Sequence, residues 1–556
     1  MHKHSSKLIL IGIFLIAFFF RFSNVNWDQG HHLHPDERFV TMVGTAMKPM
    51  DYFVQYMDPK TSTFNPANIG YPFYVYGTFP IVITKIVAIY TGFDSYANFT
   101  ILGRMLSALF DMLVIVYIYK TIALLEKRHS LSKNAKYFGA FFYAVAVLPI
   151  QLSHFLAVDT FLNFFAFTSF YYILKYSYTL QYRYLNISAI LFGFAIGCKV
   201  SAIYYFPLVL LIFMRPRKNE KFQLFNILRS RMKKFLVFGV LVFVATRVAD
   251  PYLFQNANFF DITPNKLFLD NLKTLQSWNN PEAWFPPGVQ WIHKPPIAFA
   301  LSNIIFFGVG LFYAGLTCYG IIKILMKNRR WEIISILIWM LFFFLYQSTQ
   351  VSKTMRYFLF LYPFFAIFAG IGFTHITRRW KLSIQVVLLI LTLIWPLMFY
   401  SIYTKPHTRT SASEWMHQVL PNGSRLLNEH WDDALPLQGT YKMQKQFIMD
   451  ELKVYDPDTT EKWIIINEQL ENNDYMILSS NRAWGSIPTV PERYPKTTQF
   501  YNLLLSNKSE YKKVAEFSSY PSLEYLGIPI TLNDEWAEEA FTVYDHPKVM
   551  IFQRQK

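Results

Sequence analysis

The chain has 556 residues, of which 53% are hydrophobic, 19% aromatic and only 16% charged. Soluble globular proteins carry about 25% charged residues, so this composition excludes an ordinary soluble enzyme. The formal net charge is +17, but the basic residues occur in short bursts between long apolar runs, which argues against a nucleic-acid partner. Both cysteines, Cys198 and Cys318, lie in apolar runs, so we expect neither a disulfide framework nor a cysteine-based zinc site.

The first apolar run extends from about Leu8 to Phe22 and follows a basic tip that contains Lys3 and Lys7. It has nearly the length that a membrane-spanning helix needs, which is roughly 20 residues. A secretory signal peptide is the alternative, but residues 21–24 do not form a small-x-small cleavage site. We therefore expect an uncleaved first membrane helix whose amino terminus faces the cytoplasm.

About ten further apolar runs follow, which makes about 11 predicted spans. With the amino terminus inside, nearly every Lys/Arg burst falls on the inner side, as the positive-inside rule requires. The runs lie near 99–124, 137–156, 160–178, 185–198, 201–214, 232–247, 297–323, 331–349, 355–375 and 381–400. The predicted inner connections are 127–136, 181–184, 215–234, 327–330 and 378–381. The two runs between 185 and 214 are either one broken helix or two short helices.

The predicted fold is a polytopic α-helical membrane protein, placed in the cell membrane, with a membrane module over 1–400. The odd span count puts its first long loop, 23–98, on the outer side together with the tail, 401–556. The segment 71–91 is apolar but interrupted by prolines and a glycine, so we expect interfacial helices there instead of a span. The tail has alternating and helical patches and is long enough for one small α/β domain.

The first outer loop contains the sequence His34-Pro35-Asp36-Glu37. Carboxylates are unfavourable near hydrocarbon, so those that occur in a polytopic protein are candidates for function. The alternative is that Asp36 and Glu37 cap an interfacial helix, since an acidic residue after proline is a common helix start. The neighbouring histidines permit a metal site, but their HHxH spacing matches no defined ligand pattern.

Two further candidates lie at predicted outer turns. Asp159 stands between two apolar runs, where it either caps the next helix or serves a site. Lys199 follows a glycine-rich half-helix on the outer side, where the orientation rule disfavours lysine. Such a lysine needs an acidic partner or a bound phosphate, unless it extends to the lipid headgroups.

Arg247, Lys353 and Arg356 are also predicted at the outer surface. Arginine offers a planar fork for phosphate oxygens and lysine a point charge, so their position suggests an anionic ligand; contact with lipid phosphates is the alternative. Arg104 and Asp111 lie seven residues apart inside one span, which places them on one helix face as expected structural partners.

Two aromatic segments have no clear catalytic role in the sequence. The loop 255–296 contains Trp284 and Trp291, which we expect to anchor at the membrane interface, where tryptophan is enriched. In the tail, residues 428–433 form a polar and aromatic cluster. Binding of an acceptor, capping of an active site, or a simple strand and turn explain this cluster equally well.

Together these residues resemble the lipid-carrier-dependent glycosyltransferases of the membrane-spanning C-type superfamily, in the family 39-like branch of protein O-mannosyltransferases and lipid A aminoarabinose transferases. The resemblance covers roughly residues 7–400 by layout. It is carried by His34-Pro35-Asp36-Glu37, Val158-Asp159-Thr160, Lys199, and Arg356-Tyr357-Phe358-Leu359 before Tyr362-Pro363. The tail cluster is not the Trp-Trp-Asp motif expected of oligosaccharyltransferases.

The resemblance implies a glycosyltransferase that takes a sugar from a polyprenyl-phosphate donor on the outer face of the membrane and transfers it to a hydroxyl of a protein, lipid or glycan. Such a transfer needs a carboxylate to take the acceptor proton and cations to stabilise the departing phosphate. By similarity, Asp36 is the general base, Glu37 orients it or the acceptor, and Asp159 holds the acceptor or the sugar. A direct displacement inverts the anomeric centre.

The same resemblance implies that Lys199 bridges the two acidic loops and that Arg356 grips the phosphate, with Arg247 and Lys353 as further candidates. His34 completes the expected binding residues. No cofactor is required, because a carboxylate base needs no cation, although His34 and Asp36 are also suited to hold a divalent cation.

Three other readings stay open. A secondary transporter also has many spans and broken helices, but it places paired charges near the span centres and shows inverted repeats. A polysaccharide polymerase or an oligosaccharyltransferase-like enzyme keeps the outer acidic site and uses a longer sugar chain. A non-catalytic scaffold uses the loops only for packing, and activity retained after Asp36→Ala favours it.

The predicted topology has a direct test. A topology reporter fused after Lys556 should be active only on the non-cytoplasmic side, because an odd number of spans separates the two termini. A reporter fused after Arg128, in a predicted inner connection, serves as the matched control and should be active only inside. The opposite pattern contradicts the predicted orientation.

Overall fold

The computed structural model describes residues 3–129, 131–216, 224–327, 330–377, 382–439 and 445–555. Parts of the predicted inner connections, at 130, 217–223, 328–329 and 378–381, lie outside the described residues. Up to residue 400 the chain folds into α-helices joined by short 3-10 turns and loops. Their bounds are α1 Lys3–Phe22, α2 Pro35–Ala46, α3 Phe53–Met57, α4 Phe79–Thr91, α5 Tyr96–His129, α6 Ala135–Ala144, α7 Val147–Ser153, α8 Val158–Thr179, α9 Tyr182–Cys198, α10 Phe206–Phe213, α11 Leu224–Ala249, α12 Lys266–Ser277, α13 Pro296–Asn303, α14 Leu311–Lys327, α15 Trp331–Ser348, α16 Tyr362–Thr377 and α17 Leu382–Tyr400.

Several helices are long and apolar enough to cross a membrane. In the described ranges, four segments pass this test, namely Tyr96–His129, Trp331–Ser348, Met355–Ile376 and Leu382–Val419. The count rises to 6 if each of two bent helix pairs forms one span. The chain is thus a multi-pass α-helical membrane protein, as predicted, and the expected number of about 11 spans stays a prediction.

In the described ranges, two of the predicted runs are broken, namely 137–156, which forms α6 and α7 at an angle of 52°, and 297–323. The run 297–323 was expected to form one span, but Pro296–Val309 and Leu311–Lys327 meet at an angle of 110°. Gly310 lies between them at φ +86°, a backbone conformation that glycine adopts without steric cost. The region 185–214 forms two short helices, α9 and α10, joined by a 3-10 turn that starts directly after Lys199.

The first outer loop packs against the break after α9. Gly77 N donates to the carbonyl oxygen of Cys198 at 3.0 Å. A Cβ atom at Gly77 would overlap the backbone of Gly197 and Cys198, so only glycine permits this approach. The contact brings Tyr76 beside Lys199.

Arg104 and Arg21, both in the membrane module, are fully buried and bind carboxylates. Arg104 donates to Asp28 at 2.7 and 3.0 Å and to Glu37 at 2.5 and 2.9 Å. Arg21 donates to Asp111 at 2.7 Å. The expected pairing of Arg104 with Asp111 is therefore wrong. Both lie on α5, but Arg104 stands two turns nearer the outer loop and reaches its carboxylates, whereas Asp111 meets Arg21 of α1.

The tail forms the predicted small α/β unit around a five-stranded mixed sheet. The strands are β1 Arg425–Glu429, β2 Ile448–Leu452, β3 Tyr475–Leu478, β4 Tyr511–Phe517 and β5 Val549–Arg554, and the helices are α18 Thr408–Val419, α19 Thr460–Asn472, α20 Pro495–Leu505 and α21 Glu539–Thr542. The strand order is β2-β1-β3-β5-β4, in which β1 pairs in parallel with β2 and β3, and β5 pairs antiparallel with β3 and β4.

The tail packs directly on the membrane module. Gln151 on α7 donates to the carbonyl oxygen of Phe541 at 2.8 Å and to Asp545 at 3.0 Å. Tyr403 donates to the same Asp545 carboxylate at 2.8 Å. The apolar core runs without a break from the membrane helices into the tail, for example through Phe541. The two parts therefore share one apolar cluster, while a second cluster packs within the tail, and the division into two domains stays a prediction.

The buried Arg104 gives a stability test. Arg104→Met should lower the free energy of unfolding by about 3 to 5 kcal/mol, because it leaves the carboxylates of Asp28 and Glu37 buried without a cation. Unfolding by denaturant of the purified protein in detergent measures this change. Lys273→Ala is the control, since its ion pair with Asp270 is exposed and should contribute less than about 1 kcal/mol. Equal midpoints for both variants contradict the assigned role of Arg104.

Candidate active site

A cavity of about 1120 Å³ lies between the membrane module, the loop 255–296 and the tail. A volume of this order exceeds the roughly 300–1,000 Å³ typical of small-ligand pockets. Five of the eight site residues predicted from the sequence line its wall, namely His34, Asp36, Asp159, Lys199 and Arg356. The structure thus gathers residues that are more than 300 positions apart in the chain.

Asp36 lies in the first turn of α2 and pairs with Arg356. Pro35 starts this helix, and His34 caps it by accepting a hydrogen bond from Glu37 N at 3.3 Å. The Arg356 Nη1 atom donates to Asp36 at 2.6 Å. Burial acts to raise the pKa of Asp36, but Arg356, together with His34 and the Tyr76 hydroxyl, outweighs it and holds this pKa well below its usual range. Asp36 is therefore ionised at neutral pH.

Asp159 and Lys199 form the second pair in the cavity. Asp159 lies in the first turn of α8, and Lys199 lies at the end of α9. Lys199 Nζ is 3.2 Å from the Asp159 carboxylate and 5.0 Å from the centre of the Tyr357 ring. Since Tyr357 follows Arg356 directly, the two ion pairs are neighbours, and Tyr76 contacts both of them.

His34 is buried between the two sides of the site. Its ring lies 4.2 Å from that of Tyr544 in the tail and 4.5 Å from that of Phe155, measured between ring centres. Burial lowers the pKa of His34 to about 4, so the imidazole is neutral at neutral pH. In the described ranges, no group of three or more His, Cys, Asp or Glu side chains is arranged to hold a metal ion.

Three predicted site residues do not line the cavity. Glu37 is fully buried and accepts hydrogen bonds from Arg104 and from Leu156 N, the latter at 2.6 Å. Lys353 donates to the carbonyl oxygens of Trp291 and Val351, both at 3.3 Å. Both side chains therefore stabilise the loops around the site through hydrogen bonds within the protein and do not face the cavity.

Arg247 also donates to backbone oxygens. Its guanidinium binds the carbonyl groups of Pro251, Asn256 and Asn258, and it stacks on the ring of Phe254 at 4.5 Å. The arginine thus orders the loop that follows α11, away from the cavity wall.

The loop 255–296 contributes aromatic side chains to the cavity, among them Trp278, Phe285 and Trp291. The rings of Trp278 and Phe285 are stacked, with centres 4.7 Å apart. Trp291 was expected to be a membrane anchor, but it is buried in this wall. Trp284 is 52% exposed and contacts Trp431 of the tail edge-to-face at 5.6 Å.

The tail contributes charged side chains to the cavity wall, and only some of them were identified as candidates from the sequence. Arg409 is buried and binds Asp432 at 2.5 Å and Asp433 at 2.9 Å, and Arg38 of the outer loop binds the same Asp433. The cluster at 428–433 was the visible signal for this wall. Its strand and turn exist, and its acidic turn also lines the cavity.

Other tail residues in the wall had no signal in the sequence. Arg482 donates to Glu539 at 2.8 Å, and Gln290 donates to the other oxygen of Glu539 at 2.5 Å. Glu538 lines the cavity near Arg356. Nothing local in the sequence distinguishes these residues from an exposed charged patch, because their position depends on packing between distant segments.

Comparisons with known proteins agree with this architecture. A family model described as dolichyl-phosphate-mannose-protein mannosyltransferase matches residues 95–249, a region that includes Asp159 and Lys199. No curated protein has a significantly similar sequence.

Among solved structures, the oligosaccharyltransferase of Archaeoglobus fulgidus in its apo form is similar with a TM-score of 0.51 at 13% identity, over 100% of this chain and 89% of that chain. The same enzyme tethered to an acceptor peptide gives the same values. ArnT from Cupriavidus metallidurans bound to undecaprenyl phosphate has a TM-score of 0.45 at 13% identity, over 99% of this chain and 98% of that chain. The chain thus has the fold of the A. fulgidus oligosaccharyltransferase, and the family model agrees, over residues 95–249, with the resemblance predicted from the sequence.

Proposed function

We propose that the protein transfers a sugar from a polyprenyl-phosphate-linked donor to a hydroxyl group of a protein, lipid or glycan on the outer face of the cell membrane. The observation that carries this proposal is the pairing of Asp36 with Arg356 and of Asp159 with Lys199 in one cavity. The matched family model and the fold support it. The amino terminus is then cytoplasmic and the tail extracytoplasmic.

Asp36 acts as the general base. Its carboxylate takes the proton of the acceptor hydroxyl while the acceptor oxygen attacks the anomeric carbon. The bond between that carbon and the phosphate oxygen breaks, so the polyprenyl phosphate leaves with the bonding electrons. Because its pKa is held low, Asp36 is ionised before the acceptor binds. An attack opposite to the leaving phosphate inverts the anomeric centre.

Arg356 and Lys199 stabilise the departing phosphate. Arg356 uses Nη1 for Asp36, and a guanidinium has five N–H donors, so further donors are available for phosphate oxygens. Lys199 adds a compact charge beside Tyr357. Fixed cations at the position where negative charge develops lower the barrier more than mobile solvent does. No cofactor is needed for this chemistry.

Asp159 and Glu37 play different supporting roles. Asp159 orients Lys199 and is placed to bind a hydroxyl of the sugar or of the acceptor. Glu37 is a positioning residue, because its contacts with Arg104 and Leu156 N fix the start of α2, where Asp36 lies. Arg247 and Lys353 hold neighbouring loops, so they act on phosphate binding only indirectly.

An oligosaccharyltransferase-like activity is the second candidate. The size of the cavity and the structural similarity to the A. fulgidus oligosaccharyltransferase favour a donor with more than one sugar. Transfer assays with synthetic polyprenyl-linked monosaccharides and oligosaccharides separate the two activities. A monosaccharide transferase uses the shorter donor efficiently, whereas an oligosaccharyltransferase-like enzyme transfers the longer donor faster.

The role of Asp36 is tested by Asp36→Asn. The purified variant should lose about 10²- to 10⁴-fold in transfer rate with synthetic polyprenyl-phosphate sugars, because the amide takes no proton from the acceptor. Its unfolding midpoint should stay close to that of the wild type. Asp270→Asn, at an exposed position, is the matched control and should keep full activity. Equal rates for the wild type and Asp36→Asn reject the assigned base.

The second ion pair is tested by a double-mutant cycle with Lys199→Met and Asp159→Asn. Each single variant should reduce kcat/KM about 10- to 150-fold, the range expected for a lost hydrogen bond to a charged group. The double variant should be much less impaired than the product of the two effects, because both changes break the same pair. Strictly multiplicative effects show that the two residues act independently and contradict their pairing in the site.

A further inference from the structure

Glu538 is a buried carboxyl group that the reaction described above does not use. It precedes α21 in the tail, is 3% exposed, and lines the cavity together with Arg356 and Asp36. Its backbone N donates to Asn303 Oδ1 at 2.8 Å, which fixes the residue against the membrane module. The side chain therefore comes from the tail but belongs to the wall of the active site.

The two oxygens of this carboxyl group differ in their surroundings. Oε1 accepts hydrogen bonds from Thr354 Oγ1 at 2.9 Å and from Met355 N at 2.8 Å. Oε2 is buried and has no hydrogen-bond partner in the part of the chain that the structure describes. Leaving such an oxygen unpaired is unfavourable, because the group loses its hydrogen bonds to water and gains none in the protein. An unpaired buried oxygen beside a ligand cavity is one that a bound ligand can satisfy.

The surroundings of Glu538 also determine its charge. Burial raises the pKa of Glu538 to about 7, although Met355 N, Thr354 and Arg356 oppose the shift and Glu539 adds to it. Arg356 is itself paired with Asp36, and Glu539 with Arg482. Tyr362, at the start of α16, also faces Glu538. Near neutral pH the carboxyl group therefore carries a proton in a large fraction of molecules, and with Oε1 already accepting two hydrogen bonds, Oε2 is the oxygen that holds it.

We propose that Glu538 is a donor-binding residue: when the polyprenyl phosphate binds beside Arg356, the carboxyl group turns toward it, and the protonated Oε2 donates a hydrogen bond to a phosphate oxygen. This inference rests on the proposed function, because it places that phosphate beside Arg356. A neutral acid approaches a phosphate without repulsion and supplies a donor, whereas a carboxylate in the same place repels the phosphate. The tail thus contributes directly to donor binding instead of only covering the site.

The proposal predicts a specific dependence on pH. Below pH 7 the group is protonated and binds the phosphate, and as the pH rises through about 7 this interaction is lost. The affinity of the wild type for undecaprenyl phosphate in detergent should fall at least about tenfold between pH 6 and pH 8.5. Quenching of tryptophan fluorescence measures it, since Trp278, Trp291 and Trp431 line the cavity.

Glu538→Gln isolates the proton on Oε2. The amide keeps the acceptor for Thr354 and Met355 and offers a permanent donor in place of Oε2–H. At pH 6 this variant should bind undecaprenyl phosphate with the affinity of the wild type. Between pH 6 and pH 8.5 its affinity should fall much less than that of the wild type, because the titrating group is gone. Ionisation of the phosphate itself, with a second pKa of about 6, contributes equally to both proteins.

Glu429→Gln is the matched control. Glu429 is a second buried carboxyl group of the tail, with a pKa raised to about 8 by burial and an unpaired Oε2. It accepts a hydrogen bond from the Tyr501 hydroxyl and does not line the cavity. Glu429→Gln should therefore keep the full pH dependence of the wild type, which shows that the effect is specific to the cavity wall.

The outcomes separate the two proposals. A wild type whose affinity does not change between pH 6 and 8.5, or a Glu538→Gln variant that shows the full fall, overturns the role of Glu538 and leaves the proposed function intact. The first of these results needs no variant, so it holds even if Glu538→Gln does not fold. Failure of undecaprenyl phosphate to bind at either pH overturns both proposals. Equal binding of inorganic phosphate overturns recognition of a prenyl-linked headgroup.

Discussion

A buried arginine bound to two carboxylates holds the outer side of this protein together. Arg104 reaches from the membrane helix α5 into the first outer loop and satisfies Asp28 and Glu37. Removing one partner leaves a buried charge without its counterion, which strongly destabilises the fold, so the three residues stabilise one another. Because Glu37 is adjacent to Asp36, this network also sets the position of the carboxylate that faces the cavity. Stability and catalysis are therefore coupled through one helix start.

The cavity itself is a product of three chain segments that meet only in the folded protein. The membrane module supplies the two ion pairs, the loop 255–296 supplies aromatic rings, and the tail supplies a charged wall. One apolar cluster includes residues of the module and of the tail, so these two walls are packed against one another. Glu538 illustrates the result, since a tail residue binds the backbone of Met355 directly before Arg356.

Much of this arrangement was predictable from the sequence, and the reason is physical. Hydrocarbon selects strongly against charge, so the few charged residues at outer helix ends, such as Asp36, Asp159 and Lys199, were visible as candidates. The same argument did not identify their partners. Helical spacing placed Arg104 and Asp111 on one face, but each found its counterion on another segment. The tail is predicted to lie outside the membrane, where charged residues are common in a sequence. The charge of a tail residue such as Glu538 therefore does not mark it as a candidate.

The ion pair between Arg38 and Asp433 has a consequence for the path of the chain. Arg38 Nη1 and Asp433 Oδ1 are 2.9 Å apart, although nearly 400 residues of the chain lie between the two positions. A side-chain contact of this kind joins groups that share one aqueous compartment, so the intervening chain must traverse the bilayer an even number of times. This parity holds whether the bent segment around Gly310 passes through the lipid or turns back within it.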